Sequence, residues 1–128
     1  MKHLFYILIL TTAFTSYTYS QEMTSIGDKI QYNSMSISVG DAADIAMTKS
    51  SGAYMHFKKA KRMTGWNYVW AAVGGYEIGG GAVNLAYGYP IGALDMAIGG
   101  GLLGMVISRQ KKIKNHITMG VKEFNKSL

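Results

Sequence analysis

Glu77, Asn84 and Asp95 are the residues with most scope for chemistry, because they interrupt a stretch that is otherwise apolar. Residues 66–107 contain no Lys or Arg, and Glu77 and Asp95 are their only acids. A charged group at the centre of a bilayer is costly, so a carboxylate there is expected to be paired or to face a cavity. Asn84 lies seven residues after Glu77, on the same helical face. Counted from a turn centred near Tyr89, Asn84 and Asp95 fall at similar depth and are placed to hydrogen-bond across a hairpin. Glu77 falls level with Gly99 to Gly101, where a neighbouring subunit or exposed backbone would have to satisfy it. The chemistry open to such a set is proton or ion conduction, or a hydrogen-bonded contact between subunits.

No other constellation suggests catalysis. His3, His56 and His116 are scattered, and neither of the last two has a ligand-type residue three or four positions on. No serine sits in a nucleophile turn with a matching base. Gly79-Gly80-Gly81 and Gly99-Gly100-Gly101 lack the Lys-Ser/Thr that completes a phosphate loop. The chain has no cysteine, which excludes disulfides, thiolate metal sites and lipid attachment at an N-terminal Cys. The sequence is therefore read as non-enzymatic, with no catalytic, cofactor-binding or metal-binding residues and no cofactor.

The elements that must position these residues follow from hydropathy and glycine placement. Twelve of the 16 glycines lie between Gly65 and Gly104, flanking the turn Tyr87-Gly88-Tyr89-Pro90. The segment 66–107 reads as a two-span transmembrane hairpin, with helices over 66–86 and 91–107. At 1.5 Å per residue these cover ~31 Å and ~25 Å, against a hydrocarbon core of ~30 Å. Trp66, Tyr68 and Trp70 at one end and Tyr87 and Tyr89 at the turn occupy the two levels that amphipathic rings prefer. Glycine is unfavourable in a water-exposed helix, but in lipid small residues let two helices approach closely. The expected packing stripes are Ala71, Gly75 and Gly79 at four-residue steps on the first helix, and Gly92, Gly100 and Gly104 on the second.

Outside the hairpin, residues 1–20 have a cationic start, an apolar core from Leu4 to Phe14 and a small-residue end at Ser20, the pattern of a secretory signal peptide. Residues 21–65 read as a small exported segment. In it, Lys29 to Tyr32 and Met35 to Ser38 alternate around Asn33-Ser34 as a β-hairpin. Ser38 with Asp41 marks a helix start, and Ser50-Ser51-Gly52 ends that helix and opens the next, from Ala53 toward Met63. Residues 108–128 read as a basic amphipathic helix with Ile113, Ile117, Val121 and Phe124 on one face, lying in the membrane interface or packing on the Ala53-to-Met63 helix. The formal net charge is +6. Its placement matters more than its size: Lys58, Lys59, Lys61 and Arg62 precede the hairpin, and Arg109, Lys111, Lys112 and Lys114 follow it. These clusters are candidates for anionic lipid headgroups, each charge being worth about 1 kcal/mol near such a surface. No nucleic-acid module interleaves with them, so nucleic acid is not an expected partner.

Ile78-Gly79-Gly80-Gly81, Tyr89-Pro90-Ile91, Gly99-Gly100-Gly101 and Phe124-Asn125-Lys126-Ser127-Leu128 resemble a family of small bacterial envelope proteins with a signal peptide, a glycine-rich two-span hairpin and a basic tail. The resemblance covers about residues 28–128. It implies membrane association and carries no activity. The chain is also similar in layout to the glycine-zipper two-span proteins of bacterial outer membranes. The sequence expectation is a mainly α membrane protein of the bacterial cell envelope, self-associating or bound to an envelope partner, with structural or interaction function. The alternative expectation is a small oligomeric pore or ion-conducting protein using Glu77.

Overall fold

The computed structural model describes residues 21–128; the signal-peptide reading of residues 1–20 lies outside them. The chain opens with three short strands, β1 (Met23–Ile26), β2 (Lys29–Tyr32) and β3 (Met35–Ile37), in an antiparallel sheet of order β1-β2-β3. Three helices follow: α1 (Val39–Lys49), α2 (Ser51–Ala86) and α3 (Ile91–Asn125). The protein is mainly helical. The expected β-hairpin is present as β2 and β3, and β1 adds a third strand.

Local chemistry accounts for each junction. Asn33 and Ser34 both adopt positive φ between β2 and β3, with Tyr32 opposite Met35, the conformation that joins twisted strands in two residues. Ser38 and Asp41 form a reciprocal capping box at the start of α1, and the Ser38 hydrogen bonds hold the Asp41 carboxyl below its usual value. Ser50 closes α1 through its N–H to the Ala46 carbonyl, while its Oγ accepts from the Ala53 N–H to open α2. At the far end, Gly88 takes φ +83, and Pro90 starts α3.

α2 has 36 residues and α3 has 35, and both run without interruption. The sequence boundaries at 65/66 and 107/108 are thus changes of composition within continuous helices. Thr64-Gly65 does not break α2, because helical hydrogen bonding continues through it. The C-terminal amphipathic helix is the second half of α3.

The hydrophobic core sits at one end of the helix pair. Phe57 and Ala60 of α2, Ile113, Ile117 and Phe124 of α3, Ala42 and Ala46 of α1 and Met23 and Ile30 of the sheet are buried together. The apolar face of 108–128 therefore packs on the Ala53-to-Met63 stretch. Phe57 lies directly over Gly120, where an added Cβ would stand 2.7 Å from its ring. Asn125 clamps the sheet to this core: its Oδ1 accepts from the Met23 N–H at 2.9 Å and its Nδ2 donates to the Met23 carbonyl at 2.7 Å. The preceding Phe124 meets the Tyr32 ring edge-on at 6.0 Å. A three-stranded sheet too small to stand alone thus gains a hydrophobic support and a side chain that hydrogen-bonds to its edge strand.

Candidate functional site: a glycine-packed hairpin with a polar seam

Beyond the core, α2 and α3 continue as a bare antiparallel pair, and glycine sets their contact. A Cβ added at Gly81 would lie 2.6 Å from the Gly92 carbonyl, and one at Gly99 would lie 2.6 Å from the Gly74 carbonyl. Gly92 is as tightly apposed to Gly81 in return. The same line continues to Asn67, whose Nδ2 donates to the Val106 carbonyl at 3.2 Å, and then to Ala60 and Ala53 on α2 and Ile113 and Gly120 on α3. The spacing is seven throughout: 53, 60, 67, 74, 81 on one helix and 92, 99, 106, 113, 120 on the other. This is the repeat of a supercoiled helix pair.

That register corrects the expected packing stripes. Of Ala71, Gly75, Gly79, Gly92, Gly100 and Gly104, only Gly92 lies in the close contact, and Ala71 is half-buried. Gly75, Gly79, Gly100 and Gly104 have open space where a Cβ would be. A four-residue step advances ~400° and drifts ~40° each time, so it leaves the facing helix within two steps, whereas a seven-residue step drifts only ~20° the other way.

The heptad frame assigns two further faces. Three positions after each contact residue runs a half-buried line: His56, Met63, Trp70, Glu77 and Asn84 on α2, with Asp95, Leu102, Arg109, His116 and Glu123 on α3. Within it, Asn84 Nδ2 donates to Asp95 Oδ2 at 3.1 Å, the pairing expected from their depth. Glu77 lies on this seam, half-buried. On the other side, one and five positions after the contact line, α2 carries Ala72, Gly75, Gly79, Ala82 and Ala86, and α3 carries Ala93, Ala97, Gly100 and Gly104, all exposed, with Tyr68 and Ile107 bounding this face at the end toward the core. Two right-handed helices running antiparallel turn these positions to the same side. The hairpin thus has a polar seam and, opposite it, a face of small residues.

The rest of the hairpin surface is apolar. Tyr68, Val69, Val73, Tyr76, Val83, Leu94 and Ile98 are exposed. α3 is long and apolar enough to cross a membrane, and its apolar stretch is largely exposed. α2 is less apolar, since Asn67, Glu77, Asn84 and its glycines lower its hydropathy.

The antiparallel pairing also gathers the basic residues. Lys58, Lys59, Lys61 and Arg62 come level with Arg109, Lys111, Lys112 and Lys114, forming a collar between core and apolar hairpin. All are exposed except Arg109, which is half-buried on the seam. Lys61 leans over Gly40 toward the Asp41 carboxylate, and Lys58 lies 5.3 Å above the Tyr54 ring. A concavity of ≈ 550 Å³ is lined by Lys111, Lys112 and Lys114 with Ser108, Asn115 and Thr118. A smaller one of ≈ 220 Å³ is lined by Lys58, Lys59, Arg62 and Met55.

One pair was invisible in the linear sequence. His56 and His116, sixty residues apart, meet across α2 and α3 with their Nδ1 atoms 3.1 Å from each other. Partial burial pushes the His116 pKa down, and the charges of Lys59 and His56 push it further. The signal that could have found the pair was the heptad: with Ala60 level with Ile113, both histidines fall on the same seam. Among the described residues, no group of three or more His, Cys, Asp or Glu gathers as a metal centre.

No known protein family matches the chain, and no curated protein or solved structure matches it.

Two predictions follow from this geometry. Gly92→Ala drives a methyl group into the Gly81 backbone and should cost about 1–3 kcal/mol by the overpacking scale, whereas Gly80→Ala, in open space, should leave stability unchanged or raise it by up to ~1 kcal/mol. Thermal melts in detergent micelles read both. The second concerns pH. Because the folded His116 pKa lies below its ordinary 6.5, the unfolded chain binds more protons as pH falls through that value, and stability present at pH 7.5 declines below about pH 6.5. The melting temperature should drop between pH 7.5 and 5, and His116→Gln should shrink that drop. Asp41 and Glu123, held below their ordinary values, lose their contributions only at lower pH.

Proposed function

We propose that this chain is a non-enzymatic membrane protein of the bacterial cell envelope, anchored by the hairpin 66–107 crossing the bilayer twice, with the sheet and helix ends forming a small head at the surface. The observation that carries the reading is the distribution of charge along the helix pair. From Trp66 to Ile107 the outward surface is apolar and free of Lys and Arg, and both acids are half-buried on the seam, while the basic residues collect in one collar at the mouth of the hairpin. In this reading the collar meets anionic lipid headgroups, each charge adding about 1 kcal/mol at the surface. Trp66, stacked on Trp70 at 6.3 Å, and the exposed Tyr87 and Tyr89 at the turn mark the two bilayer boundaries. The Asn84–Asp95 hydrogen bond keeps polar atoms off the lipid.

Self-association belongs to the same reading. In hydrocarbon, helices associate through close packing rather than burial from water, and a flat run of Ala and Gly permits it. The face of Gly75, Gly79, Ala82, Ala97, Gly100 and Gly104 is suited to a second copy of the chain. Interaction and scaffolding, rather than turnover of a substrate, is the role such a protein would serve.

Topology is tested with single cysteines at Ser51, Tyr89 and Ser127, labelled by a membrane-impermeant maleimide in intact and in lysed cells; the absence of native Cys gives a clean background. Ser51→Cys and Ser127→Cys should label together and Tyr89→Cys only from the opposite side. Uniform labelling of a protein recovered without detergent would rule the reading out. For self-association, Gly79→Leu combined with Gly100→Leu fills the small face without touching the α2–α3 contact. It should reduce chemical cross-linking of copies in micelles at least severalfold while leaving helicity unchanged.

A further inference from the structure

Lys111, Lys112 and Lys114 stand just outside the apolar stretch of α3, where with Ser108, Asn115 and Thr118 they line the hollow of ≈ 550 Å³. Among the described residues none of these three lysines is ion-paired; the pair Lys126–Glu123 lies farther along the helix. Ammonium groups that share a hollow without a carboxylate select an anion rich in acceptor oxygens, and phosphate is one. The hydroxyls answer a different part of a ligand. Ser108 Oγ donates to the Met105 carbonyl at 2.9 Å, and Thr118 Oγ1 donates to the Lys114 carbonyl at 3.1 Å. With their protons committed to the backbone, both oxygens offer lone pairs, and Asn115 adds an amide oxygen. Acceptors beside a cationic hollow fit a ligand that carries hydroxyl donors together with negative charge. A headgroup ammonium is also a donor, but the lysines repel it.

Depth narrows the ligand further. Ser108 follows Ile107 at the end of the apolar stretch, and Thr118 lies ten residues on, ~15 Å along the helix. The headgroup layer of a bilayer is only about 5–8 Å thick on each side. We propose that this hollow is a site for an anionic lipid whose phosphate is joined to a polyol or sugar, the phosphate held by the lysines and the hydroxyls by Ser108, Asn115 and Thr118. The site rests on the membrane reading above and deepens it: a charged collar alone recognises charge, whereas this hollow distinguishes headgroups of equal charge. The smaller hollow on α2, lined by Lys58, Lys59, Arg62 and Met55, has cations without such acceptors and reads charge only.

The test is isothermal titration of the full chain in uncharged detergent micelles with dioctanoyl phosphatidylinositol, phosphatidylglycerol and phosphatidylserine. The three carry the same net charge, with headgroup hydroxyls most numerous in the first and absent from the last. Affinity should fall in that order, at least severalfold from first to last. Ser108→Ala combined with Thr118→Val should abolish the order and leave phosphatidylserine binding unchanged. Lys111→Gln combined with Lys112→Gln should weaken all three severalfold, while Lys58→Gln combined with Arg62→Gln should keep the order. All these positions are exposed, so the substitutions spare the core. Equal affinity for the three lipids, or an order that survives Ser108→Ala with Thr118→Val, would overturn the site. Free inositol phosphate binding as tightly as the lipid would assign the hollow to a soluble polyol phosphate and overturn the lipid. Failure of the membrane reading shows separately, in uniform cysteine labelling of a protein recovered without detergent.

Discussion

The architecture depends on the backbone contact between α2 and α3 at Gly81 with Gly92 and at Gly74 with Gly99. Only residues without a side chain allow carbonyls and Cα atoms of two helices to come this close. Once that distance and register are fixed at the turn end, the seven-residue repeat carries the same phase down to Ile113 and Gly120, where Phe57 fills the space that glycine leaves. A single contact line thus joins two chemically different halves. One is a conventional hydrophobic core stabilised by burial of Phe and Ile side chains. The other is a glycine-lined pair whose backbones touch, with Ile78, Met96, Leu102 and Leu103 packed beside the contact.

The phase of that line decides what every other face does. Half-buried residues on the seam include the Asn84–Asp95 hydrogen bond, Glu77, Arg109 and the histidine pair, so the polar chemistry of both helices is collected on one side. The opposite side receives the exposed alanines and glycines. The antiparallel arrangement matters as much as the phase, because it brings sequence positions on either side of the turn to the same depth. Basic residues separated by an apolar stretch become one collar, and two histidines sixty residues apart become neighbours. Buried Asn67 sits on the line at the boundary between halves, donating to Val106 with its Oδ1 unpaired among the described residues. A polar residue at such a position penalises other registers, a role long associated with Asn in supercoiled helices.

The small sheet illustrates the same dependence on the helix pair. Its turns are encoded locally, yet its stability comes from Asn125 and Phe124 at the last turn of α3, more than one hundred residues from β1 in the chain. Formation of the sheet and completion of the helical hairpin are consequently linked, since the long-range contacts become available only when α3 has folded back along α2.

Much of this was legible in the sequence because it rests on short-range chemistry. The Asn33-Ser34 turn, the Ser38–Asp41 capping box, the stop at Ser50, the turn at Gly88 and the amphipathic face from Ile113 to Phe124 involve residues a few positions apart, where chain geometry alone brings partners together. The pairing of Asn84 with Asp95 was also accessible, being short and symmetric about the turn. The tertiary structure alone decided which glycines touch. Four-residue and seven-residue stripes are both present in the sequence, and helical drift separates them by tens of degrees, enough to place Gly75 and Gly79 in the open and Gly74 and Gly81 in contact. It also decided the meeting of His56 with His116 and of Asn125 with Met23, whose sequence separations carry no local signal. Those contacts exist because close backbone packing fixes the register of two long helices, and a register is a property of the pair rather than of either sequence segment.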